Sequence, residues 1–234
     1  MSIIIRISEL NIEIDTKSEY VKRKCSDYLV NAEKSDMKIG VSREEIEQEK
    51  ALSPGYTDDY YEFVCIYRAI CMKMPLYDRL LVHSAVIDDN GRGYAFSAKS
   101  GVGKTTHIRM WKQAFGEEIS IVNGDKPIYR FKDGKVYACG TPWCGKEGYN
   151  ENRETELRAI CFINRGEENR IEKLEGKDAA DLVFGQIIMP KTADAAIKTL
   201  ELCSQMLKSL PVYKLYCNIS TDAAVVARDE LVKA

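Results

Sequence analysis

The sequence predicts a mixed α/β fold in which antiparallel hairpins and helices surround a central sheet. Some segments alternate apolar and polar residues, as half-buried strands do, and others carry apolar residues at helical spacing, with glycine-rich turns between them. A chain of 234 residues is long enough to bury a core. A change in composition predicts a small N-terminal α/β lobe over residues 1–78 and a core domain over residues 79–234.

The N-terminal lobe begins with "IIIRISELNIEID", whose alternation predicts two short strands around a turn. The next segment, "TKSEYVKRKCSDYLV", has apolar residues at helical spacing, and "MKIGV" predicts a third strand. Ser42 followed by Glu45 is a capping-box signature, so a second helix should begin there. A strongly apolar helix is then expected from Tyr60 to about Met74.

In the core domain, "RLLVHSAVID" predicts one strand, "DNGRG" a tight turn and "GYAFSA" the returning strand of a hairpin. A glycine-rich loop and the helix "TTHIRMWKQAF" follow, and the strand "ISIV" leads to a second hairpin that turns at Asp133 and Gly134. Further strands are expected in "ELRAICFINRG", "RIEKL" and "PVYKLYCNI". Helices are expected in "DAADLVFGQII", "TADAAIKTLELCSQMLKSL" and the last segment, which Ser220 or Thr221 would cap.

The composition limits the classes of partner and the compartment. The chain has 34 basic and 36 acidic residues, whereas a general polyanion-binding protein has a basic excess, so we expect no nucleic-acid partner. No run approaches the roughly 20 apolar residues of a membrane span, and the first residues lack the features of a signal peptide. Eight cysteines without a C-x-x-C spacing are typical of free thiols in a reducing cytosol, so a cytoplasmic protein without a membrane partner is expected.

The segment "AKSGVGKT" lies between a predicted strand and a predicted helix and matches the end of the phosphate-loop pattern G-x-x-x-x-G-K-[ST]. Ala98 stands where the pattern has its first glycine, which would cost about 1 kcal/mol if that position needs a positive φ. We expect this loop to bind nucleotide phosphates. Its candidate residues are Ser100, Gly101, Val102, Gly103, Lys104, Thr105 and Thr106.

The residue types in the loop fit this chemistry. Gly101 and Gly103 allow the backbone N–H groups to face inward as an anion-binding nest, and the start of the following helix adds its positive dipole. Lys104 is the candidate cation for the β- and γ-phosphates, and the Thr105 hydroxyl is a candidate ligand for Mg²⁺. Asp125, after the strand "ISIV", is the second candidate metal ligand; a turn-forming role in "NGDKP" is the alternative.

The motifs "HSAVI", "SGVGKTTH" and "VNGDK", in this order and spacing, resemble the catalytic domain of HPr kinase/phosphorylase and its relatives with the phosphoenolpyruvate carboxykinase-like nucleotide fold. The resemblance covers about residues 79–165 and implies a mixed-sheet P-loop core. It assigns His83 as the active-site histidine, residues 101–106 as the phosphate loop and Asp125 as the metal ligand. Gly124 departs from the pattern, because HPr kinases have there the first of two adjacent aspartates, which is thought to be the base.

The resemblance implies a small HPr kinase-like serine kinase that uses ATP, with GTP as the alternative, and Mg²⁺. HPr itself is not expected as the substrate, because the capture signature of HPr kinases is not evident. The implied acceptor is a serine in a peptide, a protein or a small molecule. A nucleotide-dependent regulatory module and a small carboxykinase-like enzyme are the other hypotheses, and the sequence leaves open the acceptor and a homo-oligomer.

Four more side chains are candidates for roles at such a site. His83 could accept the hydroxyl proton or stabilise charge, and His107 is expected to pack inside the protein instead. Trp143 and Lys146, in the loop "GTPWCGK", are candidate contacts to the acceptor or nucleotide; a packed loop with a surface lysine is the alternative. Arg158 is a candidate for stabilising the transferred charge, as an arginine finger in cis does, or for a salt bridge at the rim.

Overall fold

The computed structural model describes residues 2–99 and 101–233. In the N-terminal lobe the elements, in chain order, are β1 (Ser2–Ile7), β2 (Leu10–Asp15), α1 (Glu19–Lys24), β3 (Met37–Ile39), α2 (Arg43–Leu52) and α3 (Asp58–Lys73). The elements that follow are β4 (Arg79–Leu81), β5 (Ala85–Asp89), β6 (Arg92–Ser97), α4 (Lys104–Phe115), β7 (Ile119–Asn123), β8 (Ile128–Lys132), β9 (Lys135–Cys139), β10 (Glu154–Arg165), β11 (Arg170–Leu174), α5 (Gly176–Phe184), α6 (Ala193–Ser209), β12 (Val212–Cys217) and α7 (Thr221–Leu231).

The N-terminal elements form a three-stranded sheet in the order β1–β2–β3, with β1 and β2 antiparallel and β3 parallel to β2. The Ser42 hydroxyl accepts a hydrogen bond from the backbone N–H of Glu45, and the Glu45 carboxylate accepts one from the backbone N–H of Ser42. These two bonds confirm the capping box. The helix expected in "TKSEYVKRKCSDYLV" is shorter than predicted. It ends at Lys24, because Leu29 forms a β-bridge to Ile5 and draws the chain back to β1.

The larger sheet has nine strands within the described residues and is mixed. Its main path runs β4–β8–β9–β10–β6–β5–β7, and the long strand β10 also pairs with β12 along its second half. Because β10 pairs antiparallel with β9 near its start and parallel with β6 and β12 further on, the sheet curls around this strand. The mixed α/β fold class is thus confirmed.

The strand expected over "RLLVHSAVID" is two strands, which corrects that prediction. β4 pairs with β8 and β5 pairs with β6 and β7, so the chain changes neighbours between them. The break is fixed by a distant segment: the His83 N–H donates to the Gln186 carbonyl at 3.0 Å, and Val82 forms a bridge to Ile187. Both hairpin turns are confirmed, with positive φ at Asn90, Gly91, Asp133 and Gly134.

Helices cover both faces of the larger sheet. On one face α5 and α6 pack on residues such as Val86, Ala95 and Ile160, and on the other α4 and α7 pack on Ile87 and Phe96. Successive side chains of a strand point to opposite faces, so this alternation buries both sides. None of the helices in the described ranges is both long and apolar enough to cross a bilayer.

A separate hydrophobic cluster holds the N-terminal lobe against the rest of the chain. It contains buried side chains of β1, β2 and α3 and also includes Leu81, Ile128 and Trp143. The two predicted segments therefore share one apolar cluster, and the division near residue 78 stays a prediction. All eight cysteines are buried and none is in a disulfide.

Candidate functional site

Three parallel strands end at the same edge of the larger sheet. β6 and β12 both run parallel to β10, and their last residues are Ser97, Arg165 and Cys217. Ligands of open α/β sheets bind at the carboxyl ends of such strands. The loop that the sequence predicted to bind phosphate leaves β6 at this edge and leads into α4.

The backbone of this loop uses its glycines as expected. Gly101 has φ +76° and Gly103 has φ +130°, conformations that other residues rarely adopt. Ala98 is buried and does not have a positive φ, so the absence of glycine at this position carries no backbone strain. Ser100 lies outside the described residues.

Arg165, at the end of β10, holds two carbonyl groups of the loop. Its Nη2 donates to the Gly101 carbonyl at 2.8 Å and its Nε to the Val102 carbonyl at 3.4 Å. Within the described ranges, the N–H groups of Thr105 and Thr106 donate to no backbone carbonyl, as is usual in the first turn of a helix. The carbonyls are thus engaged while these amides stay available to an anion.

The position of Asp125 is set by Asn123, the fully buried last residue of β7. The Asn123 side-chain oxygen accepts from the backbone N–H groups of Asp125 at 2.9 Å and Lys126 at 2.7 Å. Its amide nitrogen donates to the Thr141 carbonyl at 3.1 Å. The turn chemistry of "NGDKP" is therefore present, and it serves to place the Asp125 carboxylate.

The segment that carries His83 runs alongside this turn. The backbone N–H of Ser84 donates to the Asp125 carbonyl at 3.2 Å, and that of Val82 to the Pro127 carbonyl at 3.4 Å. The Ser97 hydroxyl donates to the His83 carbonyl at 2.8 Å. His83 is thus tied to the turn, to the end of β6 and, through Gln186, to the segment after α5.

Four side chains converge here, three of them predicted from the sequence. His83 Nε2 lies 3.1 Å from Asp125 Oδ1 and 3.0 Å from Lys104 Nζ, and Lys104 Nζ lies 4.0 Å from the same carboxylate oxygen. The fourth is Lys126, whose Nζ lies 2.6 Å from Asp125 Oδ2. Sequence patterns did not single out Lys126, although it directly follows Asp125.

His83 Nε2 cannot satisfy both of its neighbours at once. Lys104 is a donor and the Asp125 carboxylate is an acceptor, whereas a single ring nitrogen carries either a lone pair or a proton. The nitrogen therefore accepts from Lys104 in one tautomer and donates to Asp125 in the other. An anion that drew the Lys104 ammonium away would leave the His83–Asp125 hydrogen bond as the stable pairing.

The site carries more positive than negative charge. Burial tends to raise the pKa of Asp125, but the His83 hydrogen bond and the Lys126 charge outweigh it and bring the pKa to about 2. Burial lowers the pKa of Lys104 from its ordinary value, while Asp125 opposes this. Two lysines thus face one ionised carboxylate, an imbalance that a bound anion would relieve.

Metal ligands at this site are few. No group of three or more His, Cys, Asp or Glu side chains that could hold a metal ion occurs within residues 2–99 and 101–233. Thr105, in the first turn of α4, and Asp125 are the oxygen donors predicted from the sequence. This donor set fits Mg²⁺, which typically takes one or two protein carboxylates and completes its shell with phosphate oxygens and water.

The loop "GTPWCGK" lies against the Asp125 turn, but Trp143 does not face a ligand. Its indole N–H donates to the Phe63 carbonyl at 3.0 Å and its ring stacks on Phe63 with centroids 5.2 Å apart. Trp143 is buried in the lobe cluster, so its assignment as a substrate contact is corrected to a packing role. Lys146 is exposed and forms no ion pair with any described residue, which leaves its role a prediction.

The assignment of Arg158 to the site is also corrected. Its Nη1 pairs with Glu156 Oε1 at 3.1 Å, and the side chain is half exposed. Arg158 precedes Arg165 by seven positions in β10, about 23 Å along an extended strand, whereas Arg165 touches the loop. The arginine that contacts the loop is therefore Arg165, the last residue of the same strand.

His107 packs inside the protein, as the sequence indicated. The Trp111 indole N–H donates to His107 Nε2 at 2.9 Å, and the Phe96 ring meets the imidazole edge-on at 4.7 Å between centroids. Burial lowers the pKa of His107 from 6.5 to about 3. Nε2 is an acceptor in this arrangement, so protonation would cost both the hydrogen bond and the desolvation of a charge.

This histidine makes the stability of the protein depend on pH. Its pKa is lower in the folded than in the unfolded chain, so the unfolded chain binds more protons below pH 6.5 and stability falls as the pH drops towards 3. Between pH 7.5 and pH 5 we expect a loss of about 2 kcal/mol in the free energy of unfolding, measured with urea. The variant His107→Gln should flatten this pH dependence; an unchanged slope would contradict the assignment.

A surface cleft of about 550 Å³ adjoins the loop, a volume usual for small-molecule sites. It opens between α4 and the ends of β10 and β12. Its walls are mostly apolar, with polar groups from Arg165 and Asn218. The apolar residues include Val102, Met110, Ile163 and Ile219.

No family model matches the chain, and no curated protein matches its sequence. Among solved structures, the chain is similar to one described as the Hpr(Ser) kinase/phosphatase from Coxiella burnetii, with 8% sequence identity and a TM-score of 0.40. The match covers 65% of this chain and 97% of the other. Similarity at this level is one of fold alone and carries no argument about activity, which has to come from the residues of the chain itself.

Proposed function

We propose that the chain is an ATP-dependent, HPr kinase-like phosphotransferase that moves the γ-phosphate of ATP to a hydroxyl group. The acceptor we propose is a serine of a peptide, a protein or a small molecule. The observation that carries this proposal is the convergence of Lys104, His83 and Lys126 on Asp125, next to the start of α4. GTP is the alternative nucleotide.

Phosphate binding is supported by charge and by hydrogen-bond donors. The two lysines exceed the single carboxylate in charge, and the N–H groups of Thr105 and Thr106 bond to no backbone carbonyl of the described residues. A phosphate at the loop would take over the Lys104 ammonium, which now lies against His83. The cleft beside the loop is large enough for the base and sugar of a nucleotide.

Thr105 and Asp125 are the residues that would hold Mg²⁺. The metal would neutralise charge on the β- and γ-phosphate oxygens, as it does in other phosphoryl-transfer sites. The role of Asp125 towards His83 does not depend on the metal. By accepting a hydrogen bond from the His83 Nε2–H group, Asp125 favours the tautomer in which the lone pair lies on Nδ1, so His83 can take the hydroxyl proton through Nδ1.

Phosphotransfer can be tested with γ-labelled ATP, Mg²⁺ and a panel of serine acceptors, namely free serine and serine-containing peptides. We expect the natural chain to give a labelled acceptor. In Asp125→Asn the rate of phosphate transfer should fall by about 100-fold or more, since both His83 and Mg²⁺ lose a charged partner. Tight ATP binding without any labelled product would instead favour a nucleotide-dependent regulatory module.

One observation favours the regulatory module as the second candidate. Gly124 stands where a base is expected from the resemblance, and the space around it is small. A Cβ atom at this position would lie 3.0 Å from the Cys144 carbonyl and 3.3 Å from the Tyr149 Cβ. An acidic side chain at position 124 would therefore displace the neighbouring loop, and the base has to come from elsewhere or be absent.

Two variants at Gly124 separate these candidates. Gly124→Ala is expected to destabilise the fold by about 1 to 3 kcal/mol through overpacking, measured by urea unfolding. Gly124→Asp should transfer no more phosphate than Gly124→Ala, because His83 supplies the base. A clear gain of transfer in Gly124→Asp over Gly124→Ala would show that the natural chain is a kinase weakened by a missing base. No transfer by the natural chain or by either variant would favour the regulatory role.

A further inference from the structure

Lys126 is held at the candidate site by the fold around it. Its backbone N–H donates to Asn123 Oδ1 at 2.7 Å, and its carbonyl accepts from the Thr141 hydroxyl at 2.7 Å. Its Nζ lies 2.6 Å from Asp125 Oδ2, with both side chains about one-quarter exposed. Two buried neighbours thus fix the backbone of Lys126, and its ammonium group lies against Asp125.

This contact is more than an ordinary ion pair. In one tautomer of His83, the Nε2–H group already donates a hydrogen bond to Asp125 Oδ1. The Lys104 Nζ atom lies 4.0 Å from the same oxygen. The Lys126 charge also contributes to lowering the pKa of Lys104, so the two ammonium groups lie close enough to repel each other. Partly buried like charges are unfavourable unless a further anion arrives.

The chemistry proposed above needs such a second cation. In other phosphoryl-transfer enzymes an arginine finger or a second metal ion neutralises the transferred group. Arg158 lies about 23 Å along β10 from Arg165, and Arg165 is engaged with loop carbonyls. Among the cations predicted or found around Asp125, Lys104 serves the bound phosphates, which leaves Lys126 for the group in transfer.

We propose that Lys126 is a catalytic residue of the phosphotransfer site, whose ammonium group exchanges Asp125 Oδ2 for the oxygens of the transferred phosphoryl group. This inference rests on the proposed function. In the step, the acceptor oxygen forms a bond to the γ-phosphorus while the bond from that phosphorus to the bridging oxygen breaks. The electron pair stays on the nucleoside diphosphate, the hydroxyl proton passes to His83, and Lys126 offsets the charge on the transferred group. Mg²⁺ held by Thr105 and Asp125 would supply further positive charge there.

The test compares Lys126→Met and Lys126→Arg with Lys132→Met, which removes an exposed lysine at the end of β8. Titration calorimetry measures affinity for Mg²⁺–ADP and for Mg²⁺–ADP with aluminium fluoride, a mimic of the group in transfer. We expect Lys126→Met to weaken the aluminium fluoride complex by about 30-fold or more but the ADP complex by less than about threefold. Lys126→Arg should keep most of the preference for the aluminium fluoride complex, and Lys132→Met should match the natural chain.

A second readout needs no nucleotide. Removing the ammonium from Asp125 Oδ2 should tighten the binding of Mn²⁺ alone, measured by electron paramagnetic resonance, by about tenfold. An equal loss of ADP and aluminium fluoride binding in Lys126→Met, or unchanged Mn²⁺ binding, would overturn the role of Lys126. Failure of the natural chain to bind any nucleotide would instead overturn the proposed function, and thermal unfolding checks that each variant is folded.

Discussion

Replacing Lys104 with methionine is expected to weaken ATP binding by about 100-fold. The Lys104 ammonium is the mobile cation at the start of α4, and a charged hydrogen bond to phosphate contributes about 1.5 to 3 kcal/mol. Methionine keeps the apolar stem, so the loss reports on the charge. Isothermal titration with Mg²⁺–ATP measures the dissociation constant directly.

Lys99 provides the matched control for this experiment. It belongs to the same loop and its side chain is exposed. Lys99→Met should change the affinity for ATP by less than about threefold, because an exposed charge contributes little. If Lys104→Met bound ATP as tightly as the natural chain, the loop would not be a phosphate site.

Replacing Trp143 with alanine is expected to destabilise the protein by about 3 to 5 kcal/mol. The side chain is buried, stacks on Phe63, lies 5.6 Å from the Tyr67 ring and donates to the Phe63 carbonyl. Its removal leaves a large cavity between the lobe and the rest of the chain. Urea unfolding at pH 7.5, followed by circular dichroism, measures the change.

Trp143→Phe separates packing from hydrogen bonding. It keeps an aromatic ring in the cluster but loses the donor to the Phe63 carbonyl, so we expect a smaller loss of about 1 to 3 kcal/mol. A destabilisation below about 1 kcal/mol in Trp143→Ala would show that the ring is not packed as described. That result would also support the prediction that Trp143 contacts the acceptor or the nucleotide.

The predictions from the sequence succeeded where the signal was local. Alternation and helical spacing placed most strands and helices, and Ser42 with Glu45 marked a helix start correctly. The errors arose where distant segments decide the structure. The strand "RLLVHSAVID" is broken by Gln186 and Ile187, and the first helix is cut short by the bridge from Leu29 to Ile5.

The candidate site shows the same division. The loop motif predicts Lys104 as a site residue, and the strand before Asp125 predicts that aspartate. The structure places the two side chains together. The prediction for Arg158 names the correct strand but the wrong residue, because the register between β10 and β6 decides that Arg165 reaches the loop. Lys126 and Asn123 were missed because their contacts depend on how the turn folds, which no spacing rule gives.

The contact between Trp143 and α3 also connects the N-terminal lobe to the candidate site. The loop that carries Trp143 reaches Asp125, since a Cβ on Gly145 would lie 3.3 Å from the Asp125 Cβ. If a ligand of the lobe shifted α3, the nucleotide affinity proposed for the candidate site would change with it. By thermodynamic reciprocity, nucleotide binding would then change the affinity of the lobe for that ligand by the same factor.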